Sequence, residues 1–226
     1  MFANTVAIWG DSISKSITFD EGKGRHIICK DSYESAFKEL GYTLRNYGCM
    51  GCTAVKGESL MTAERMTPGG IAVIEFGGND CDIDWKAVDS DPECAEHPAK
   101  VSIADFKASL TRMIARVREH GMHPVLVTPL PVAAERYFEW VSRGLRRDRI
   151  LKYLGAAEYI YRWQERYDLA LMEVAAREGT SIFDIRSLFL GERNMGELMS
   201  IDGIHPSPKG YGLIKEAVRQ RLAEIR

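Results

Sequence analysis

The feature that most constrains this chain is the alternation of short apolar runs with stretches of helical spacing. Val6-Ala7-Ile8-Trp9, Thr43-Leu44-Arg45-Asn46-Tyr47, Ile71-Ala72-Val73-Ile74-Glu75-Phe76 and Pro124-Val125-Leu126-Val127-Thr128 are strand-length and stop at Gly10, Gly48, Gly77 and Pro129. A fifth run is Ser181-Ile182-Phe183-Asp184-Ile185. Between them, residues 33–40 place Tyr33, Ala36, Phe37 and Leu40 at helical intervals ahead of Gly41. Residues 103–120 carry Phe106, Leu110, Met113, Ile114 and Val117 on one stripe. Further helices are expected at 60–66, at about 159–177 before Gly179, and at 207–225 with Pro208 at its start. Strands alternating with helices at this spacing need right-handed crossovers, which makes the sheet parallel and covers it on both faces. The expectation is one α/β domain over residues 1–226, a three-layer α/β/α sandwich on a five-stranded parallel sheet.

Composition narrows the setting. Residues are 45% hydrophobic and 27% charged, ordinary for a globular domain, and 226 residues suffice for a full core. A net charge of -2 gives no reason to expect nucleic acid or an anionic membrane as partner. The first strand begins by about residue 5, which leaves no room for a signal peptide, and no apolar run is long enough to span a bilayer. Five cysteines, an odd number, then suggest reduced thiols in a cytoplasm. Cys49-Met50-Gly51-Cys52 invites a redox or metal reading, but no second ligand pair accompanies it and it falls in a glycine-rich turn. His120 and His123 flank Gly121 at a helix end, a poor frame for a metal.

Three strand ends offer polar or glycine-rich loops to the same rim: Gly10-Asp11-Ser12, Gly48 to Gly51, and Gly77-Gly78-Asn79-Asp80. Ile201-Asp202-Gly203-Ile204-His205-Pro206 precedes the closing helix. Each loop read alone could be an ordinary turn or helix cap. Together they hold every part that acyl transfer needs. Ser12 can serve as nucleophile, His205 as base, and Asp202 as the group that fixes the imidazole tautomer. The backbone N–H groups of Ser12 and Gly51, with the Asn79 carboxamide, could receive the oxyanion.

These blocks resemble those of the SGNH hydrolases, the GDSL family of esterases and lipases. Gly10-Asp11-Ser12-Ile13 is similar to the first block, with Ile in place of the usual Leu. Asn46-Tyr47-Gly48-Cys49-Met50-Gly51-Cys52-Thr53 resembles the second, Gly77-Gly78-Asn79-Asp80 the third, and Asp202-Gly203-Ile204-His205-Pro206 the fifth. The resemblance implies a flavodoxin-like sheet in the order 2-1-3-4-5 and Ser12, Gly51, Asn79 and His205 as signature residues. It also implies Asp202 as the third triad member, no metal or organic cofactor, and a small-molecule ester as substrate. Ser16 stands where members often have Gly.

An acetylated carbohydrate or another short-chain ester is the first substrate expectation. An acyltransferase with the same triad, a lipase or thioesterase for longer chains, and a non-catalytic binding module are the alternatives. Residues 81–102 read as an acidic surface loop, and residues 132–158 match nothing that identifies a substrate. Tyr137, Phe138 and Trp140 could cap an acyl pocket, or pack as core or subunit contact. The run from Arg143 to Arg149 reads as a solvated helix face. Homo-oligomerisation is left open.

Overall fold

Every second residue of the central strands faces the same side, and that period of two builds both layers of core. The computed structural model describes residues 4–225. Strand β1 (Thr5–Gly10) leads through the hairpin β2 (Ile17–Asp20) and β3 (Arg25–Ile28) to helix α1 (Glu34–Glu39). Then follow β4 (Thr43–Asn46), α2 (Ala54–Ser59), β5 (Ile71–Glu75), α3 (Trp85–Ser90), α4 (Ile103–Glu119) and β6 (His123–Val127). The chain continues through α5 (Ala134–Val141), α6 (Arg147–Leu154), α7 (Glu158–Glu178), β7 (Ser181–Phe183), α8 (Arg186–Leu190) and α9 (Pro208–Ile225).

Five strands form a parallel sheet in the order β4-β1-β5-β6-β7, which is 2-1-3-4-5 when only its own strands are counted. Ala7, Trp9, Ala72, Ile74 and Leu126 point to one side and pack with Phe106, Leu110, Met113 and Ile114 of α4 and Leu171 and Val174 of α7. Val6, Ile8, Ile71 and Val127 point to the other, against Ala36 and Phe37 of α1 and Ile214, Val218 and Leu222 of α9. This is the three-layer α/β/α arrangement expected of the sequence.

Three local expectations change. The helix expected at 60–66 lies earlier, over Ala54–Ser59, where the Thr53 hydroxyl accepts from the Lys56 N–H as its cap; Ala63–Arg65 is one 3-10 turn. Residues 81–102 are not simply a loop, since they contain α3 and bury Ile83 and Val88. Their acidic and proline content hid an apolar pair that needed a partner. That partner comes from residues 132–160: Val132, Phe138, Ile150, Leu154 and Ile160 join Ile83 and Val88 in a third apolar cluster beside the main core. Finally, Cys49 and Cys52 form a disulfide, where reduced thiols were expected. The turn that carries them, closed by the Cys52 N–H on the Cys49 carbonyl at 3.2 Å, brings their Cα atoms to 5.4 Å, within disulfide range.

The basic run is consumed locally. Arg146 and Arg149 pair with Asp89 of α3, Arg147 with Glu139, and the Arg143 guanidinium stacks on Trp140. Phe138 is buried in the third cluster, while Tyr137 lines a cavity. No helix among the described residues is long and apolar enough to cross a membrane.

Candidate active site

The carboxyl ends of β1 and β5 and the loop before α9 meet at one edge of the sheet. Two residues past β1, the Ser12 Oγ lies 2.9 Å from His205 Nε2. His205 Nδ1 lies 2.7 Å from Asp202 Oδ2. The loop holding both is folded by Asp202 itself, whose Oδ1 accepts the backbone N–H groups of Ile204 at 3.1 Å and His205 at 3.0 Å. Asp202 is fully buried and His205 nearly so. Burial alone would raise the Asp202 carboxyl. The His205 side chain, the His205 amide and His26 outweigh burial and hold it well below the usual carboxylate range. Asp202 is therefore ionised and only accepts hydrogen bonds, so His205 Nδ1 donates to it and Nε2 faces the Ser12 hydroxyl.

Beneath Ser12 lies a second polar group. The Asp11 Oδ1 accepts the Ile13 N–H at 2.8 Å and its Oδ2 accepts the Asn79 carboxamide at 2.8 Å. Glu75, at the end of β5, accepts the Ser14 hydroxyl at 2.8 Å and the Asp11 N–H at 3.3 Å. Burial, then the charge of Glu75, push the Asp11 carboxyl well above its ordinary range, and burial raises Glu75 too. This packed polar floor sets the Asn79 side chain and spends only one of its two N–H donors.

Gly51 adopts a φ of +65°, a left-handed turn that a side chain would resist, inside the disulfide-closed Cys49–Cys52 ring. Among the described residues no hydrogen bond within the chain claims the Ser12 or Gly51 amide. Ser12, Gly51, Asn79 and His205 all line one cavity of about 280 Å³. Ile83, Trp85, Leu130, Val132, Ile160 and Trp163 supply much of its wall. Polar atoms in that wall are largely engaged: Tyr137 Oη and Trp85 Nε1 donate to Asp82 at 2.8 and 3.0 Å, and Trp163 Nε1 to the Cys81 carbonyl at 2.7 Å. The structure thus brings all five sequence-predicted site residues to one place. It adds His26, whose Nε2 lies 2.8 Å from Asp202 Oδ2. The sequence carried a signal for the hairpin that holds it, an apolar alternation around Gly22-Lys23-Gly24, but none for the contact.

A parallel sheet of this order, with serine, histidine and aspartate hydrogen-bonded in series at its carboxyl edge, defines a serine hydrolase class. The sequence matches the GDSL-like Lipase/Acylhydrolase family over residues 8–213, and the chain belongs to that family; it is an ester hydrolase. Solved structures share the fold. The lipase/acylhydrolase from Enterococcus faecalis is 19% identical with a TM-score of 0.65, over 98% of this chain and 95% of its own. TesA is 21% identical with a TM-score of 0.62, over 98% and 99%. A GDSL-like lipase from Bacteroides thetaiotaomicron is 17% identical with a TM-score of 0.63, over 99% and 89%. No curated protein matches the sequence.

Proposed function

We propose that the protein hydrolyses a carboxylic ester with an apolar acyl group, through an acyl-enzyme on Ser12. His205 Nε2 takes the hydroxyl proton as Oγ attacks the carbonyl carbon. Negative charge on the carbonyl oxygen is met by the Ser12 and Gly51 amides and the second N–H of Asn79. Collapse breaks the ester C–O bond, and the leaving alkoxide receives the proton from His205. Water, deprotonated by the same imidazole, then attacks the acyl carbon and releases acid and free Ser12. Asp202 stays ionised and holds the imidazolium through both halves. The observation that carries this reading is the relay at 2.9 and 2.7 Å opening onto the apolar cavity.

The apolar wall supports an acyl chain longer than acetyl. Each methylene buried there contributes about 0.8 kcal/mol, roughly fourfold in kcat/KM. Turnover of p-nitrophenyl esters from acetyl to decanoyl, by wild type and Ser12→Ala, is the test. Ser12→Ala should lose more than about 10⁴-fold in kcat, and kcat/KM should climb with chain length until the cavity is filled. Wild-type turnover by Ser12→Ala would remove Ser12 from the mechanism. A maximum at acetyl would instead assign a small ester, an acetylated carbohydrate among them.

A further inference from the structure

We propose that His26 is a positioning residue for the acid end of the triad, acting through Asp202; the inference rests on the Ser12–His205–Asp202 reading above. Asp202 Oδ2 sits 2.7 Å from His205 Nδ1 and 2.8 Å from His26 Nε2. Since Asp202 is ionised and only accepts, His26 Nε2 donates, and this one oxygen is shared by two imidazoles. With the Ile204 and His205 amides on Oδ1, the carboxylate has four donors, about its full capacity.

His26 is held in place by more than this bond. The β2–β3 hairpin is clamped to the loop that bears His205 and to α9: Thr18 Oγ1 lies 3.0 Å from Ser200 Oγ, the Phe19 N–H donates to the same hydroxyl at 3.4 Å, and Tyr211 Oη of α9 donates to the Ile17 carbonyl at 2.8 Å. Phe19 and Trp140 each meet the His26 ring edge to face, at centroid distances of 5.2 and 5.7 Å. The His205 ring lies 4.8 Å away. The ionisable groups facing His26 are thus Asp202 and His205 of the loop, with Arg143 behind Trp140 from the segment after α5. Asp202 Oδ2 stands at hydrogen-bond spacing from both imidazole nitrogens, 2.7 and 2.8 Å, whereas ligands about 2.0 Å from a tetrahedral zinc lie about 3.3 Å apart. The cluster is built for shared protons.

Two effects follow for the reaction. A second tether stops the carboxylate from turning away as charge develops on His205. The second donor also draws negative charge from Oδ2, which lowers the basicity of His205 and keeps its Nε2 free to accept a proton at lower pH.

The experiment is the pH profile of p-nitrophenyl ester hydrolysis by wild type, Ser12→Ala, His26→Leu and His26→Gln, whose amide can still donate to Asp202. His26→Leu should lower kcat on the order of tenfold, the loss of one bond to a charged group, with KM unchanged. The acid limb of kcat/KM should move to higher pH, because His205 becomes more basic. His26→Gln should restore both. If His26→Leu does not fold, His26→Asn, too short to reach Asp202, takes its place against His26→Gln. A donor-less variant with wild-type kcat and acid limb overturns the proposal, as does equal loss in the Leu and Gln variants, which would assign the effect to ring packing. Ser12→Ala separates the two readings. If it is inactive while His26→Leu is normal, only the role of His26 falls; if it turns over normally, the triad itself falls.

Discussion

Ser16 holds a φ of 57°, the one non-glycine residue with positive φ among the described residues. Among the described residues its buried hydroxyl has no hydrogen-bond partner. The position matters because the Ser16 carbonyl receives the Cys29 N–H at 2.8 Å, closing the base of the hairpin that carries His26. A left-handed backbone costs a side-chain-bearing residue roughly 1–2 kcal/mol, part of which glycine returns as chain entropy. Ser16→Gly should therefore stabilise the protein by about 1 kcal/mol in urea unfolding with little change in kcat. At this scale the sequence was most readable. Ser12, Gly51, Asn79, Asp202 and His205 stand in four motifs that read singly as ordinary turns and only together hold the parts of acyl transfer. His26 stands in none, and its role arises only when a hairpin folds over a loop 176 residues further along the chain.

Elements were legible where their own periodicity decides them and not where a neighbour does. The stripe from Phe106 to Val117 marks α4 by itself. Helix α2 carries Gly57 and Ser59, poor helix formers, and Gly57 is tolerated because the Phe76 ring occupies the space a side chain would need. Sequence periodicity therefore pointed past it to residues 60–66. The disulfide ring just ahead of α2 has a thermodynamic consequence. Closing a four-residue ring limits the unfolded chain by about 2 kcal/mol, so Cys52→Ser, or the wild type under reductant, should lose about that much stability in urea. Because Gly51 sits inside the ring, kcat should fall several-fold in the same samples while KM changes little. Unchanged unfolding midpoints with and without reductant would show that the bridge has no such effect.

At the scale of the whole molecule, the sheet and its two faces follow from alternation, whereas the cavity wall does not. Ile83 comes from one connection, and Val132 and Leu154 from another; neither has a core-forming period long enough to read alone. Their shared burial is the reason both segments resisted interpretation. The same division has a dynamic consequence. Because α3 and α6 bury their apolar faces against one another, joined at their rim by the Arg146 and Arg149 contacts to Asp89, while α5 packs on α7, the α3–α6 pair forms a unit that can detach while the sheet stays intact. Native-state hydrogen exchange should find these two helices opening together at lower free energy than β1 and β5. An ester analogue held in the cavity should slow that exchange without altering the strands.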